Sequence, residues 1–308
     1  MDDTDTARPA PIRAPLSPRE WLGLAIVAAG ALVLGGQFWA FVRSDALVWH
    51  ALLGGSVAAL ATALGTVPVM FSQRLSDRVQ DTLFGFGAGV MLAACAFSLI
   101  IPGLEAARRL GGAGGDSTWA AGGLIGTAIL LGGIALMAID KLLPHEHFIK
   151  GREGMNGHAA RKLRRTWLFV IAIALHNLPE GLAIGVGYAG NDGLRADALA
   201  TGIAIQDVPE GLVVAVALLA AGYRRRVAVA LGMASGLVEP LGAVLGAAVI
   251  GWSAALLPWG LGFAGGAMLF VISHEIIPES HRKGHEAFAT GGLMVGFVLM
   301  MLLDTALG

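Results

Sequence analysis

Nine stretches of about 20 predominantly apolar residues divide the chain, at 21–43, 47–71, 82–108, 118–140, 166–189, 196–221, 226–251, 256–279 and 287–307. A helical run of that length crosses the hydrocarbon core of a bilayer, where only helices and closed barrels can satisfy their own backbone hydrogen bonds. The sequence therefore predicts an all-α integral membrane protein with nine transmembrane helices. Composition agrees with this: 14% of residues are charged and mean hydropathy is +0.71, whereas about a quarter of the residues of a soluble domain are charged. A net charge of −1 gives nucleic acid no footing.

The seven tryptophans (Trp21, Trp39, Trp49, Trp119, Trp167, Trp252 and Trp259) fall near the ends of these spans, where amphipathic rings settle at headgroup level. With the N-terminus and alternate loops on one side, seventeen of the 21 lysines and arginines gather there, leaving Arg43, Arg108, Arg109 and Arg195 for the other. The positive-inside rule then puts the N-terminus in the cytoplasm and the C-terminus outside. Residues 1–20 read as a disordered cytoplasmic tail, and 141–165 as a flexible cytoplasmic loop carrying His145, Glu146, His147 and His158. Cys95, the single cysteine, reads as a small buried apolar residue. Glycines four apart (Gly85 and Gly89, Gly122 and Gly126, Gly232 and Gly236, Gly242 and Gly246, Gly262 and Gly266) predict close helix packing.

Two stretches break the apolar pattern at mid-span, His176-Asn177-Leu178-Pro179-Glu180-Gly181 and Gln206-Asp207-Val208-Pro209-Glu210-Gly211. They repeat one pattern and approach the midplane from opposite sides, as in inverted-repeat transporters with a substrate site at mid-depth. Residues i and i+4 share a helix face, so His176 stands over Glu180 and Gln206 over Glu210. Asn177 and Asp207 point toward a second position that the same glutamates can serve. Pro179 and Pro209 cannot donate to the carbonyls of Leu175 and Ile205, which predicts kinks at this depth. Glu239-Pro240 repeats the theme, and Ser98, at similar depth, is expected to bond its own helix.

Glu180, Asp207, Glu210 and Glu239 would place four negative charges in a low dielectric, prohibitive unless protons or cations match them. No lysine or arginine stands at mid-span, so the cations come from solution. Two divalent ions would neutralise the set, and a mixture of imidazole, amide and carboxylate ligands suits zinc better than magnesium or calcium.

These stretches, with Glu239-Pro240 and His274-Glu275-Ile276-Ile277-Pro278-Glu279, resemble the ZIP (Zrt-, Irt-like protein) family of divalent-metal transporters, in its bacterial GufA-like branch, from about residue 47 to the end. The resemblance implies uptake of zinc, and often cadmium, iron or manganese, across the bacterial inner membrane. It also implies an eight-helix core, 47–308, to which the helix 21–43 is an addition. One metal is assigned to His176, Glu180, Gln206 and Glu210, the other to Asn177, Asp207 and Glu239, with Glu180 and Glu210 bridging. Gln206 stands where many members have histidine.

His274, Glu275 and Glu279, with His281 and His285 beyond, are expected to form a cytoplasmic exit, and Glu105 and Asp304 an entry. The metal is cargo and no prosthetic group is expected; the partners are metal ions and the bilayer, with a homodimer compatible. An intramembrane metalloprotease would need His-Glu-x-x-His, but Pro278 stands where the second histidine belongs, so no enzyme is expected. The alternative is a proton- or sodium-coupled carrier of another solute, which would need the buried carboxylates but not His176.

Overall fold

The computed structural model describes residues 18–71, 76–111, 117–142, 177–190, 193–220 and 223–307, and every regular element among them is helical. Eight helical stretches among the described residues are long and apolar enough to cross a bilayer, matching eight of the expected spans. The fifth, 166–189, is described only from residue 177, where it is helical. His176, Trp167, the tail 1–17 and the loop histidines His145, His147 and His158 lie outside the described residues.

Helix α1 (Pro18–Ser44) forms one unit and Asp45–Gly308 the other. Along α1, Leu32, Val33 and Leu34 are exposed, a surface suited to lipid, and near its end the Arg43 guanidinium lies 5.6 Å from the centre of the Trp39 ring.

The second unit begins with α2 (Ala46–Thr66), capped by Asp45, whose carboxylate accepts from the Leu47 amide at 2.8 Å. Helix α3 (Asp77–Ala93) passes through a π-helical turn, Ala94–Ile100, into α4 (Ile101–Gly111). Helix α5 (Ser117–Leu142), α6 (177–190) and α7 (Gly193–Ala220) follow. The seventh expected span is broken at Gly236-Leu237 into α8 (Arg225–Ser235) and α9 (Val238–Gly251). Pro240 thereby falls in the first turn of α9, where a missing amide hydrogen costs nothing. Helix α10 (Leu257–Val271) continues through a second π-helical turn, Ile272–Ile276, to α11 (Ile277–His281), and α12 (Glu286–Leu307) closes the chain.

Close contact sorts these helices into two groups. In the first, a Cβ on Gly65 of α2 would strike the Val208 carbonyl of α7, and one on Gly185 of α6 would strike Ala243 of α9. In the second, Gly85 and Gly89 of α3 lie on the backbone of α12 at Ala289 and Leu293, while Gly132 of α5 lies on Phe263 of α10. Helix α7 bridges the groups, meeting α3 and α12. Four of the five glycine pairs pack in this way. The exception is Gly122 and Gly126, which have nothing within 4 Å, because α5 packs instead through the face that buries Ala121, Ile125 and Ala128.

The turn into α12, made at Gly284 with φ +84°, is tied to α3 by three contacts. Lys283 Nζ donates to Asp77 Oδ1 at 2.8 Å and to Gln80 Oε1 at 2.7 Å, and His285 Nδ1 lies 3.1 Å from the fully buried Asp81.

Replacing Gly185 with leucine should force α6 from α9 and lower stability by about 2 kcal/mol or more, while Gly122→Leu should leave it unchanged. Thermal melting followed by size-exclusion chromatography checks this, and equal losses in both variants would contradict the packing described.

Candidate metal centre

Four helices carry polar groups to one buried point: Thr62 on α2, Asn177 and Glu180 on α6, Gln206, Asp207 and Glu210 on α7, and Glu239 in the first turn of α9. Asn177, Glu180, Gln206, Asp207 and Glu239 are each at most 1% exposed. Glu210 is half-buried. One oxygen from each of Glu180, Asp207 and Glu210 can be chosen so that all three lie within 4.8 Å of one another, close enough to share one ion. His176 adjoins this set in sequence but lies outside the described residues.

Neutral donors hold one oxygen of each of three carboxylates. Gln206 Nε2 donates to Glu180 Oε1 at 2.6 Å and to Asp207 Oδ1 at 2.5 Å. Thr62 Oγ1 and Asn177 Nδ2 both donate to Glu239 Oε1 at 2.9 Å. The second oxygens, Glu180 Oε2, Asp207 Oδ2 and Glu239 Oε2, together with Asn177 Oδ1, have no hydrogen-bond partner among the described residues. Buried polar atoms are rarely left so. Each carboxylate is thus fixed by one oxygen and presents the other, which is how an oxygen donor is readied for a cation.

Helix α7 runs through Pro209 without a break, so the Ile205 carbonyl lacks its helical donor at the depth of the carboxylates. Residue Thr62 was not foreseen from the sequence. A lone threonine in an apolar helix normally bonds its own backbone, and this hydroxyl also lies 3.3 Å from the Ala58 carbonyl. Only the approach of Gly211 and Gly236 to Thr62 brings it to Glu239, and that is tertiary information.

A cleft lined by Gln206 and Glu210 of α7 and by Leu83, Phe84 and Gly87 of α3 reaches Glu275 and Glu279. Two of the expected exit residues are therefore brought to one path. His274 is not among its lining residues and stacks on Phe270 with ring centroids 5.0 Å apart. His281 turns back to its own helix, its Nδ1 donating to the Ile277 carbonyl at 3.0 Å, and His285 joins Asp81. At the foot of the cleft, Glu279 accepts from Arg282 Nε at 2.8 Å and Nη2 at 2.6 Å.

At the other end of the bundle, Glu105 lies 3.5 Å from Arg109 and 3.9 Å from Arg195 on an exposed helix end. The hydroxyl of Ser98 does not bond its own helix as the sequence suggested. The π-helical turn turns it toward α12, where it donates to Asp304 Oδ1 at 2.7 Å.

Comparison with known proteins agrees with this arrangement. The family model described as ZIP Zinc transporter matches residues 144–304, and the zinc transporter ZIPB of Bordetella bronchiseptica is 48% identical over 290 residues, covering 93% of this chain and 92% of that one. The chain belongs to the ZIP zinc transporter family. Zinc transporter GufA of Myxococcus xanthus is 47% identical over 83% of the chain and 98% of its own length. The human zinc transporter ZIP11, at 32%, is covered in full by 87% of the chain. Within this ZIP protein, α6 and α7 carry the glutamates of the two motifs to one cluster, Glu180 beside Asp207 and Glu210.

Thr62→Val keeps the side-chain shape but removes the donor to Glu239. It should cost about 1 kcal/mol of stability relative to Thr62→Ser. Thermal melting of the two variants side by side measures the difference, and identical midpoints would remove Thr62 from the site.

Proposed function

We propose that the protein carries divalent transition-metal ions, zinc foremost and cadmium among them, across the bacterial inner membrane into the cytoplasm through two adjoining mid-membrane positions. One position takes His176, Glu180, Gln206 and Glu210; the other takes Asn177, Asp207 and Glu239, and the two glutamates of the motifs serve both. The observation that carries this reading is the convergence of carboxylates from α6, α7 and α9 at full burial, with second oxygens that no described residue satisfies. Buried carboxylates of that density need protons or a compensating cation, and no lysine or arginine stands at mid-span. The names of the relatives support zinc as cargo. Glu275 and Glu279 on the cleft supply a path toward the cytoplasm, with His274 beside it. The charge asymmetry of the loops supports a cytoplasmic N-terminus and an outer C-terminus. All ligands come from one chain, so a homodimer would carry two independent sites.

The division of the helices supports a carrier over a fixed pore. Every named ligand from residue 177 onward sits on α6, α7 or α9, in one helix group, whereas α3, the π-helical turn Ile272–Ile276 and α11 form the other wall of the cleft. Displacement of one group past the other would open the site to alternate sides without disturbing its geometry.

Zinc flux into proteoliposomes, run beside cadmium, iron and manganese, tests the function directly. Glu180→Ala and Glu210→Ala should each lower zinc flux at least about tenfold, the effect of losing a shared charged ligand worth more than about 1.4 kcal/mol, with Glu239→Ala milder. Near wild-type flux in both glutamate variants at equal expression would refute the two-metal site. Zinc-insensitive flux of another solute would favour the proton- or sodium-coupled alternative.

The carrier reading generates a separate test. Gly202 of α7 packs on Met300 of α12, across the two groups. In a Cys95→Ser background, a Gly202→Cys and Met300→Cys pair should stop flux on oxidation and recover on reduction. Undiminished flux from fully crosslinked protein would argue for a pore.

A further inference from the structure

The Gln206 side chain holds a position that no metal ligand can hold. Its Nε2 lies between Glu180 Oε1 and Asp207 Oδ1, donating to both at 2.6 and 2.5 Å. An amide NH₂ group donates hydrogen bonds and has no lone pair to give a metal; only the amide oxygen ligates. That oxygen points away from the two carboxylates, toward α3, where a Cβ on Gly87 would lie 3.3 Å from it. One of the amide's two N–H bonds is therefore spent on α6 and the other on α7, and the nitrogen fills the gap between two carboxylates that the proposed metal would otherwise bridge.

We propose that Gln206 is a two-position residue, a clamp as well as a ligand, whose NH₂ group competes with the cargo for the space between Glu180 and Asp207. In the clamp position the partial positive charge of the amide hydrogens holds the glutamate of α6 beside the aspartate of α7. When the ions enter, the amide leaves the gap between Glu180 and Asp207, its oxygen turns to the position of His176, Glu180 and Glu210, and the two hydrogen bonds are given up. A carrier must return after releasing its cargo, and the clamp gives it a cross-braced site for that passage. Residue 206 then sets metal affinity by two opposed effects, the ligand it supplies and the hydrogen bonds that the ion must displace. The glutamine is thereby a determinant of specificity: an ion that bonds weakly to an amide oxygen gains less on displacing the clamp. This inference rests on the metal site proposed above.

The test uses full-length protein purified in detergent and treated with a chelator, with melting midpoint and zinc binding by equilibrium dialysis as readouts. Gln206→Met has a similar length but cannot donate. It should lower the midpoint in chelator by on the order of 5 °C, the loss of two hydrogen bonds to buried carboxylates. Gln206→Lys supplies donors and a tethered cation but no ligand; it should keep or raise that midpoint and weaken zinc binding at least about tenfold. A residue that acts only as a ligand would leave the midpoint in chelator unmoved in Gln206→Met, and that result overturns the proposal. If Gln206→Met does not fold, recovery by Gln206→Lys supports the clamp, and failure of both overturns it. A wild-type protein with no zinc response would instead refute the metal site itself, whatever the Gln206 variants do in chelator.

Discussion

Burying several carboxylates in one low-dielectric pocket is the constraint on which the rest of this structure depends. An ionised carboxylate taken from water into an apolar interior is stable only if both oxygens are answered. Here Thr62, Asn177 and Gln206 answer one oxygen of each of Glu180, Asp207 and Glu239. Among the described residues the donors to these three carboxylates stop there. Had a lysine or arginine completed the set, the cluster would be a structural ion pair that holds helices together and moves nothing. Leaving the other oxygens to a mobile cation, as in the metal site proposed above, would turn the same chemistry into a binding site.

The packing follows from that requirement. Side chains as short as asparagine, aspartate and threonine can meet only if their helices approach closely, and glycines at the crossings allow it: Gly55 and Gly181 against the Glu239-Pro240 turn, Gly211 against Thr62. Lipid tails are as apolar as leucine, so no hydrophobic force presses these helices together, and close backbone contact has to supply the cohesion. The same device joins α3 to α12 and α5 to α10 in the other group. Between the groups the junction differs in kind, since α7 meets α3 beside a cleft. Tight contact within each group and a cleft between them are what rigid displacement of one against the other would require.

Much of this was legible in the sequence because hydropathy, tryptophan placement and the repeated Pro-Glu-Gly stretches are local signals. Eight of the nine spans are found within a few residues of their expected limits, and Glu180, Asp207 and Glu210, drawn from the two motifs, lie together. What escaped was set by contacts between distant segments. The break at Gly236-Leu237 reads in sequence as ordinary apolar helix, and Ser98 looks self-bonded until the π-helical turn Ala94–Ile100 directs it to Asp304. The Gly122 and Gly126 pair has the same spacing as Gly85 and Gly89. Which face of α5 packs is decided by α10 and α4, not by that spacing.

The two π-helical turns add a functional argument. Each inserts a wide turn into a long helix, at Ala94–Ile100 and at Ile272–Ile276, and such turns re-aim the side chains they contain. The first carries Ser98 across to Asp304 of α12; the second sets Glu275 on the lining of the cleft while His274 stacks on Phe270. An unbroken α-helix would place residues four apart on one stripe and fix both orientations by period alone. In the second of these spans the wide turn separates α10, which packs on α5, from Glu275 and Glu279, which line the cleft. A single span can thereby brace its neighbours and still line the cleft.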